Sequence, residues 1–155
     1  SLEQTMPDFL PDRLEAGTHN MPGIAGLLEG IRFVSRTGTE RIARWERMLA
    51  RRAAEGLRRM PEVEIFADEK GTAQSGVLSF RVKGMDCEQI GEELARREIA
   101  VRAGLHCAPL AHRTAGTLET GTVRLSPSVF NTEMQIDVFL RELGCILREN
   151  AKKSI

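Results

Sequence analysis

The sequence predicts an α+β fold: a small sheet with packed helices, preceded by two helices. Three observations carry the prediction. The hydrophobic period changes from helical to alternating past Pro61. The elements beyond it run strand, strand, helix, strand, strand, helix. Both helices in that run open on a capping-box spacing. The 155 residues suit a single domain, and 41% apolar residues suffice for a buried core.

Residues 1–20 carry little regular pattern, because Pro7, Pro11 and Gly17 interrupt them. A structureless opening of that length is expected to pack on something the chain itself does not supply. Helical periodicity starts at Asn20, with Pro22 in the first turn and Ile24, Leu27, Leu28 and Ile31 on one stripe. Thr39 is placed to cap a second helix that runs to about Met60, with Ile42, Trp45, Met48, Leu49, Ala53, Gly56 and Leu57 inward. Its other face is rich in Arg relieved by Glu, which reads as a solvated surface rather than a nucleic-acid face.

Past Pro61, Val63 and Ile65 open a strand, and Asp68-Glu-Lys-Gly71 reads as a turn. Leu78, Phe80 and Val82 alternate with Ser79 and Arg81 in a second, half-buried strand. Asp86 stands three residues before Gln89 and starts a helix that turns Ile90 and Leu94 inward. Ile99 and Val101 give a third strand ending at Ala103-Gly104, and Val123 and Leu125 a fourth, stopped by Pro127. Thr132 and Gln135 repeat the capping-box spacing at a last helix with Ile136, Phe139, Leu140, Leu143, Ile146 and Leu147 as its core stripe.

Charge and cysteine usage exclude several roles. Twenty-two basic and 22 acidic side chains cancel, so no long-range field steers the chain toward nucleic acid or anionic lipid. No apolar run reaches the roughly 20 residues of a membrane span, and no signal-peptide pattern opens the chain. Three cysteines, Cys87, Cys107 and Cys145, without Cys-x-x-Cys spacing argue against a disulfide framework and for a reducing, cytoplasmic setting. The excess of Arg over Lys and the lack of Tyr read as a composition bias of the source genome.

The chemistry concentrates in Arg102-Ala-Gly-Leu-His-Cys107-Ala-Pro-Leu-Ala-His112. His106, His112, Arg102 and Arg113 all lie within six residues of Cys107, and a cation or imidazolium nearby promotes the thiolate. Against this stands an inert loop cysteine beside a histidine. A metal site on Cys107, His106 and His112 is weaker, since adjacent residues rarely ligate one ion, so no metal is assigned. Cys87 and Cys145 read as structural, neither having a basic neighbour that would activate it.

Three segments resemble one family. Pro11-Asp-Arg-Leu-Glu-Ala-Gly-Thr-His-Asn-Met-Pro-Gly-Ile-Ala-Gly-Leu27 resembles the segment after the cofactor lysine in class V aminotransferases. Val101-Arg-Ala-Gly-Leu-His-Cys-Ala-Pro109 resembles the active-site cysteine loop of SufS-like cysteine desulfurases and selenocysteine lyases. Gly121-Thr-Val-Arg-Leu-Ser-Pro-Ser-Val-Phe-Asn-Thr132 resembles their carboxylate-binding strand. The resemblance implies the C-terminal small domain of a fold-type I PLP-dependent transferase: residues 1–37 a strip of the large domain, 38–60 a connecting helix, 61–155 the small α+β domain.

It further implies pyridoxal 5'-phosphate as cofactor and cysteine or selenocysteine as substrate. Cys107 matches the nucleophile that takes the substrate sulfur as a persulfide. Arg124 matches the arginine on the substrate carboxylate and Arg102 a second arginine at the substrate mouth. Gly17 and Thr18 match groups reaching the cofactor phosphate of a neighbouring subunit, hence a homodimer. His106 is placed either to transfer a proton or to polarise the loop. A sulfur-acceptor protein is the expected partner. The family's Schiff-base lysine has no counterpart, since Lys70, Lys83, Lys152 and Lys153 stand in no matching motif. Nor does the Gly/Thr-rich stretch between His112 and Thr122 follow the family pattern. A start at Ser1 and the missing lysine lead to the expectation of a fragment inactive alone. The rivals are a stand-alone thiol carrier or redox module, and another class V enzyme.

Overall fold

The computed structural model describes residues 5–15, 17–68 and 74–153. The chain divides into two units, Ser1–Thr39 and Glu40–Ile155. In the first, a 3-10 turn at Asp12–Leu14 precedes helix α1, Met21–Thr37. Asn20 caps it, its Oδ1 accepting from the Gly23 N–H at 3.0 Å, and Pro22 occupies the first turn. The apolar stripe of α1 is real but exposed: Ile24, Leu27, Leu28 and Ile31 all face solvent in this chain.

The second unit holds helix α2 (Thr39–Leu57, whose first residue closes the first unit), strands β1 (Val63–Phe66) and β2 (Leu78–Val82), and helix α3 (Cys87–Ala95). Strand β3 (Arg102–Gly104), helix α4 (Pro109–Ala115), strand β4 (Thr122–Leu125) and helix α5 (Glu133–Lys153) follow. The four strands form one antiparallel sheet in the order β1-β2-β4-β3. Register sorts the side chains onto two faces, because cross-strand partners share a face and neighbours along a strand do not. Val123 opposes Phe80 and Phe80 opposes Ile65 on the core face. Leu49, Ala53 and Leu57 of α2, Ile90 and Leu94 of α3, and Phe139, Leu143 and Ile146 of α5 join the same cluster. Phe80 and Phe139 meet edge to face with ring centroids 5.8 Å apart. A Cβ at Gly56 would overlap the Leu140 side chain, so this glycine admits the close approach of α5 to α2.

Both predicted caps form. The Asp86 carboxylate accepts from the Glu88 and Gln89 amides, while Thr132 and Gln135 make the full reciprocal box at α5. Other predictions need correction. Helix α2 ends at Leu57, and i to i−3 bonds carry the chain on to Met60. Strand β3 begins at Arg102 rather than Ile99. The Ile99 amide is taken by the Leu94 carbonyl and Glu98 turns left-handed (φ 60°), so residues 98 and 99 finish the end of α3. The stretch after Cys107, expected as loop, contains α4. Leu140 and Leu147 are half-buried at the margin of the core. The predicted turn at Asp68–Gly71 lies mostly outside the described residues.

Candidate functional site

The sheet face away from the core carries Arg124. Register places Ser79 beside it on β2 and Arg102 beside it on β3, so two arginines stand directly opposite one another. Like charges in that position repel, yet neither has a carboxylate partner among the described residues. Arg124 is half-buried and its Nε is buried with no hydrogen-bond partner. An unsatisfied guanidinium group of this kind leaves a bidentate donor set for an anion.

Strand β3 runs from Arg102 into the cysteine loop. The Ala108 amide bonds the Leu105 carbonyl at 2.9 Å, closing a turn whose two central residues, His106 and Cys107, have φ of 53° and 57°. Positive φ at both centres with this closing bond is the pattern of a type I′ turn, normally built from Gly, Asn or Asp. Holding two other side chains there costs on the order of 1–3 kcal/mol each. The Cys107 thiol is thereby presented, exposed, at the tip of the turn.

Beneath the turn, His106 Nε2 lies 3.1 Å from both the Thr122 carbonyl and the Thr122 hydroxyl. A carbonyl can only accept, so Nε2 carries the proton and Nδ1 the lone pair. That Nδ1 is buried and unpartnered. Burial first, then the charge of Arg124, pushes the His106 pKa below its ordinary 6.5. At pH 7 the ring is neutral, which removes the imidazolium that sequence spacing offered beside Cys107.

The stretch between His112 and Thr122 explains how Thr122 arrives under His106. Helix α4 closes on Gly116 in the left-handed conformation, and the buried Thr117 hydroxyl lies 2.8 Å from His112 Nδ1. The Gly121 amide then bonds the Thr117 carbonyl. Gly121 has φ 60°, and a Cβ there would stand 2.8 Å from the Cys87 sulfur and 3.2 Å from Gly104 Cα, so no side chain fits. The His112 ring sits 5.7 Å from that of His106, buried against Thr117. Sequence reasoning missed Thr117 and Thr122, for which the threonines flanking Gly116 and Gly121 were the only signal.

Arg102, His106, Cys107 and Arg124 are thus gathered on adjoining elements of the second unit. Gly17 and Thr18 belong to the first, where Gly17 has φ 86° with open space around its Cα and Thr18 is exposed. Among the described residues no three His, Cys, Asp or Glu side chains are placed to share a metal, and no helix is long and apolar enough to cross a membrane. Cys87 is buried, and burial raises its thiol pKa. Cys145 corrects the sequence reading, because Arg148 Nη2 donates to its sulfur at 3.1 Å.

An exposed thiol beside two uncompensated arginines suits a small anionic substrate bearing an atom that a thiol attacks. The chain belongs to the class V aminotransferase family, whose sequence model matches residues 1–139. Within the family it is similar to cysteine desulfurases. It is 43% identical over 153 residues to a probable cysteine desulfurase of Mycolicibacterium paratuberculosis, covering 97% of this chain and 22% of that protein. It is 35% identical to one from Pyrococcus abyssi, covering 84% of this chain and 32% of the relative. The apo cysteine desulfurase of Thermococcus onnurineus superimposes with a TM-score of 0.78 at 36% identity, covering 94% of this chain and 34% of that one. The Escherichia coli cysteine desulfurase CsdA gives 0.78 at 30% identity, with 89% and 33% coverage. The chain therefore spans between about a fifth and a third of the length of these relatives.

Proposed function

We propose that this chain is the C-terminal part of a pyridoxal phosphate-dependent cysteine desulfurase, which converts L-cysteine to L-alanine and leaves the sulfur as a persulfide on Cys107. The observation that carries the reading is the Arg102–Arg124 pair, opposed across the sheet without a carboxylate and beside the strand that leads to the exposed Cys107. In this reading residues 1–37 are a strip of the large domain, 38–60 the connecting helix and 61–155 the small domain. The exposed apolar stripe of α1 supports such a cover.

The residues present fit the carboxylate and sulfur ends of such a site. Arg124 is unsatisfied, Arg102 is exposed beside it, and the thiol is presented by a strained turn. Gly17 and Thr18, open and exposed, would hold the cofactor phosphate of a neighbouring subunit, and the working enzyme is a homodimer. Among the described residues the lysine is not supplied: Lys83 follows β2, and Lys152 and Lys153 close α5, while Lys70 lies outside the described residues and stands in no matching motif. The 155 residues alone therefore have no turnover. When bound, pyridoxal phosphate supplies an electron sink for the charge left at the substrate Cα.

Arg124 takes the substrate carboxylate through two parallel N–H bonds, a geometry lysine does not reproduce. Arg102 attracts the anion at the mouth. Neutral His106, its Nε2 on Thr122, anchors the turn rather than adding a positive charge, and the exposed Cys107 thiol gives up its proton to solvent. The thiolate attacks the substrate sulfur. An S–S bond forms as the substrate C–S bond breaks, and the electron pair released to carbon is quenched by a proton to give alanine. The same arrangement accepts selenocysteine. The persulfide then passes to an acceptor protein in a reducing cytoplasm.

The test uses the longer gene product loaded with pyridoxal phosphate and given L-cysteine or L-selenocysteine. Alanine and a persulfide on Cys107 are expected, both lost in Cys107→Ala. Alanine formation unchanged in that variant, or none in the parent, would overturn the assignment.

A further inference from the structure

A second feature lies across the sheet from the cysteine loop. The loop follows the β3 edge, whereas helix α2 and the far end of β1 bound a groove of about 560 Å³. One wall is a row of arginines, Arg44, Arg47, Arg51 and Arg58, spaced to lie along one side of α2. All four are exposed, and among the described residues none has a carboxylate or hydrogen-bond partner for its guanidinium. Arg52, on the neighbouring side of the same helix, is by contrast gripped by Asp137 at 2.8 Å and Glu133 at 3.0 Å. The floor is apolar, formed by buried Ala50, Ala54 and Leu78. Among the described residues, only Glu55 and Asp68 bring negative charge to the lining.

Helix α2 thus spends one arginine on holding the fold together and leaves three along a groove, with Arg58 just past its end as the fourth. We propose that this groove docks an acidic segment of a protein partner, in which carboxylates meet the arginine row and small apolar side chains between them meet the floor. Charge complementarity selects the acidic partner and gives it a fast, salt-sensitive encounter. The lining fits a peptide better than a nucleic acid. Among the described residues it contains no aromatic ring on which a base would stack. Glu40, Glu46 and Glu55 on the same helix oppose an unbroken phosphate backbone, whereas spaced carboxylates avoid them. The proposal stands apart from the desulfurase reading and uses none of its site residues.

The experiment is fluorescence anisotropy of a labelled peptide of alternating glutamate and leucine, titrated with the 155-residue chain and with the longer gene product. Saturable binding by both is expected, weakening with added salt. It should fall about tenfold in Arg44→Glu/Arg51→Glu and again in Arg47→Glu/Arg58→Glu, but not in Arg141→Glu on α5. These arginines are exposed, and circular dichroism checks that each variant keeps the parent helix content. Three results would overturn the proposal: oligothymidylate of equal charge binding as tightly as the peptide, Arg141→Glu weakening binding as much as the groove variants, or the longer product failing to bind because its own chain fills the groove.

Discussion

Arg81 and Arg124 lie on the same face of the same sheet, on adjacent strands, and among the described residues only Arg81 has a carboxylate partner. Arg81 bonds Glu64 at 2.7 Å and sits over the Phe66 ring at 5.9 Å. Arg124 meets Arg102 across one strand and Ser79 across the other, with its Nε left over. Arg81 holds strand to strand, while the Arg124 guanidinium is left with donor capacity to spare. A fold tolerates such a group because the remaining face of the sheet is fully packed.

That division can be broken at several points. The largest effect belongs to the core face behind the arginines: Phe80→Ala removes the ring packed on Phe139 and should cost about 3–5 kcal/mol in urea unfolding. In the longer, cofactor-loaded protein, Arg124→Lys should lower kcat/KM about a hundredfold, close to 2.7 kcal/mol. Arg81→Lys should change it less than about twofold, and equal losses in the two variants would erase the distinction. On stability the order reverses. Arg81→Leu strips Glu64 of its partner and should cost about 0.5–1 kcal/mol. Arg124→Leu relieves repulsion and should be neutral or slightly stabilising; added sulfate should raise the Tm of the parent and leave that of this variant unchanged.

The smallest effect is a pH dependence. The native His106 pKa is depressed by burial, Arg124, His112 and Arg102, so the unfolded chain binds this proton more readily. Stability from this group is present above about pH 6.5 and is lost as pH falls through the lower native value. Thermal melts between pH 7 and 5 should show that decline, and His106→Gln should flatten it. Asp137, held below its usual 3.8 by Arg52, loses its contribution only under more acid conditions, so the two windows separate.

The helices and strands were legible because their signals are local. Asp86, Thr132 and the alternation of Leu78, Phe80 and Val82 each act within a few residues. The boundary of β3 was not, because Ile99 looks like a strand residue and is claimed by the end of α3. At the site, Cys107 stood out by its spacing to His106, His112, Arg102 and Arg113, whereas its expected role and that of Arg124 came only through a resemblance. The turn that presents Cys107 was hidden, since a type I′ turn is recognised by Gly or Asn and here holds His and Cys. The protonation state of His106 depends on Thr122, 16 residues away, and on the folded position of Arg124, neither of which composition encodes. The Arg148–Cys145 contact joins neighbouring turns of α5, and attention to i, i+3 pairs would have found it.

The close fit of Gly121 against Cys87 makes the three thiols a built-in clock. Cys107 is open to reagent at all times, Cys145 is half-covered, and Cys87 is sealed beneath a glycine whose backbone must withdraw before the sulfur can react. Its modification rate therefore counts local openings where the start of α3 packs under Gly121. A mild alkylating agent, followed by mass spectrometry over time, reports the integrity of the loop, of the last helix and of the start of α3 in one sample.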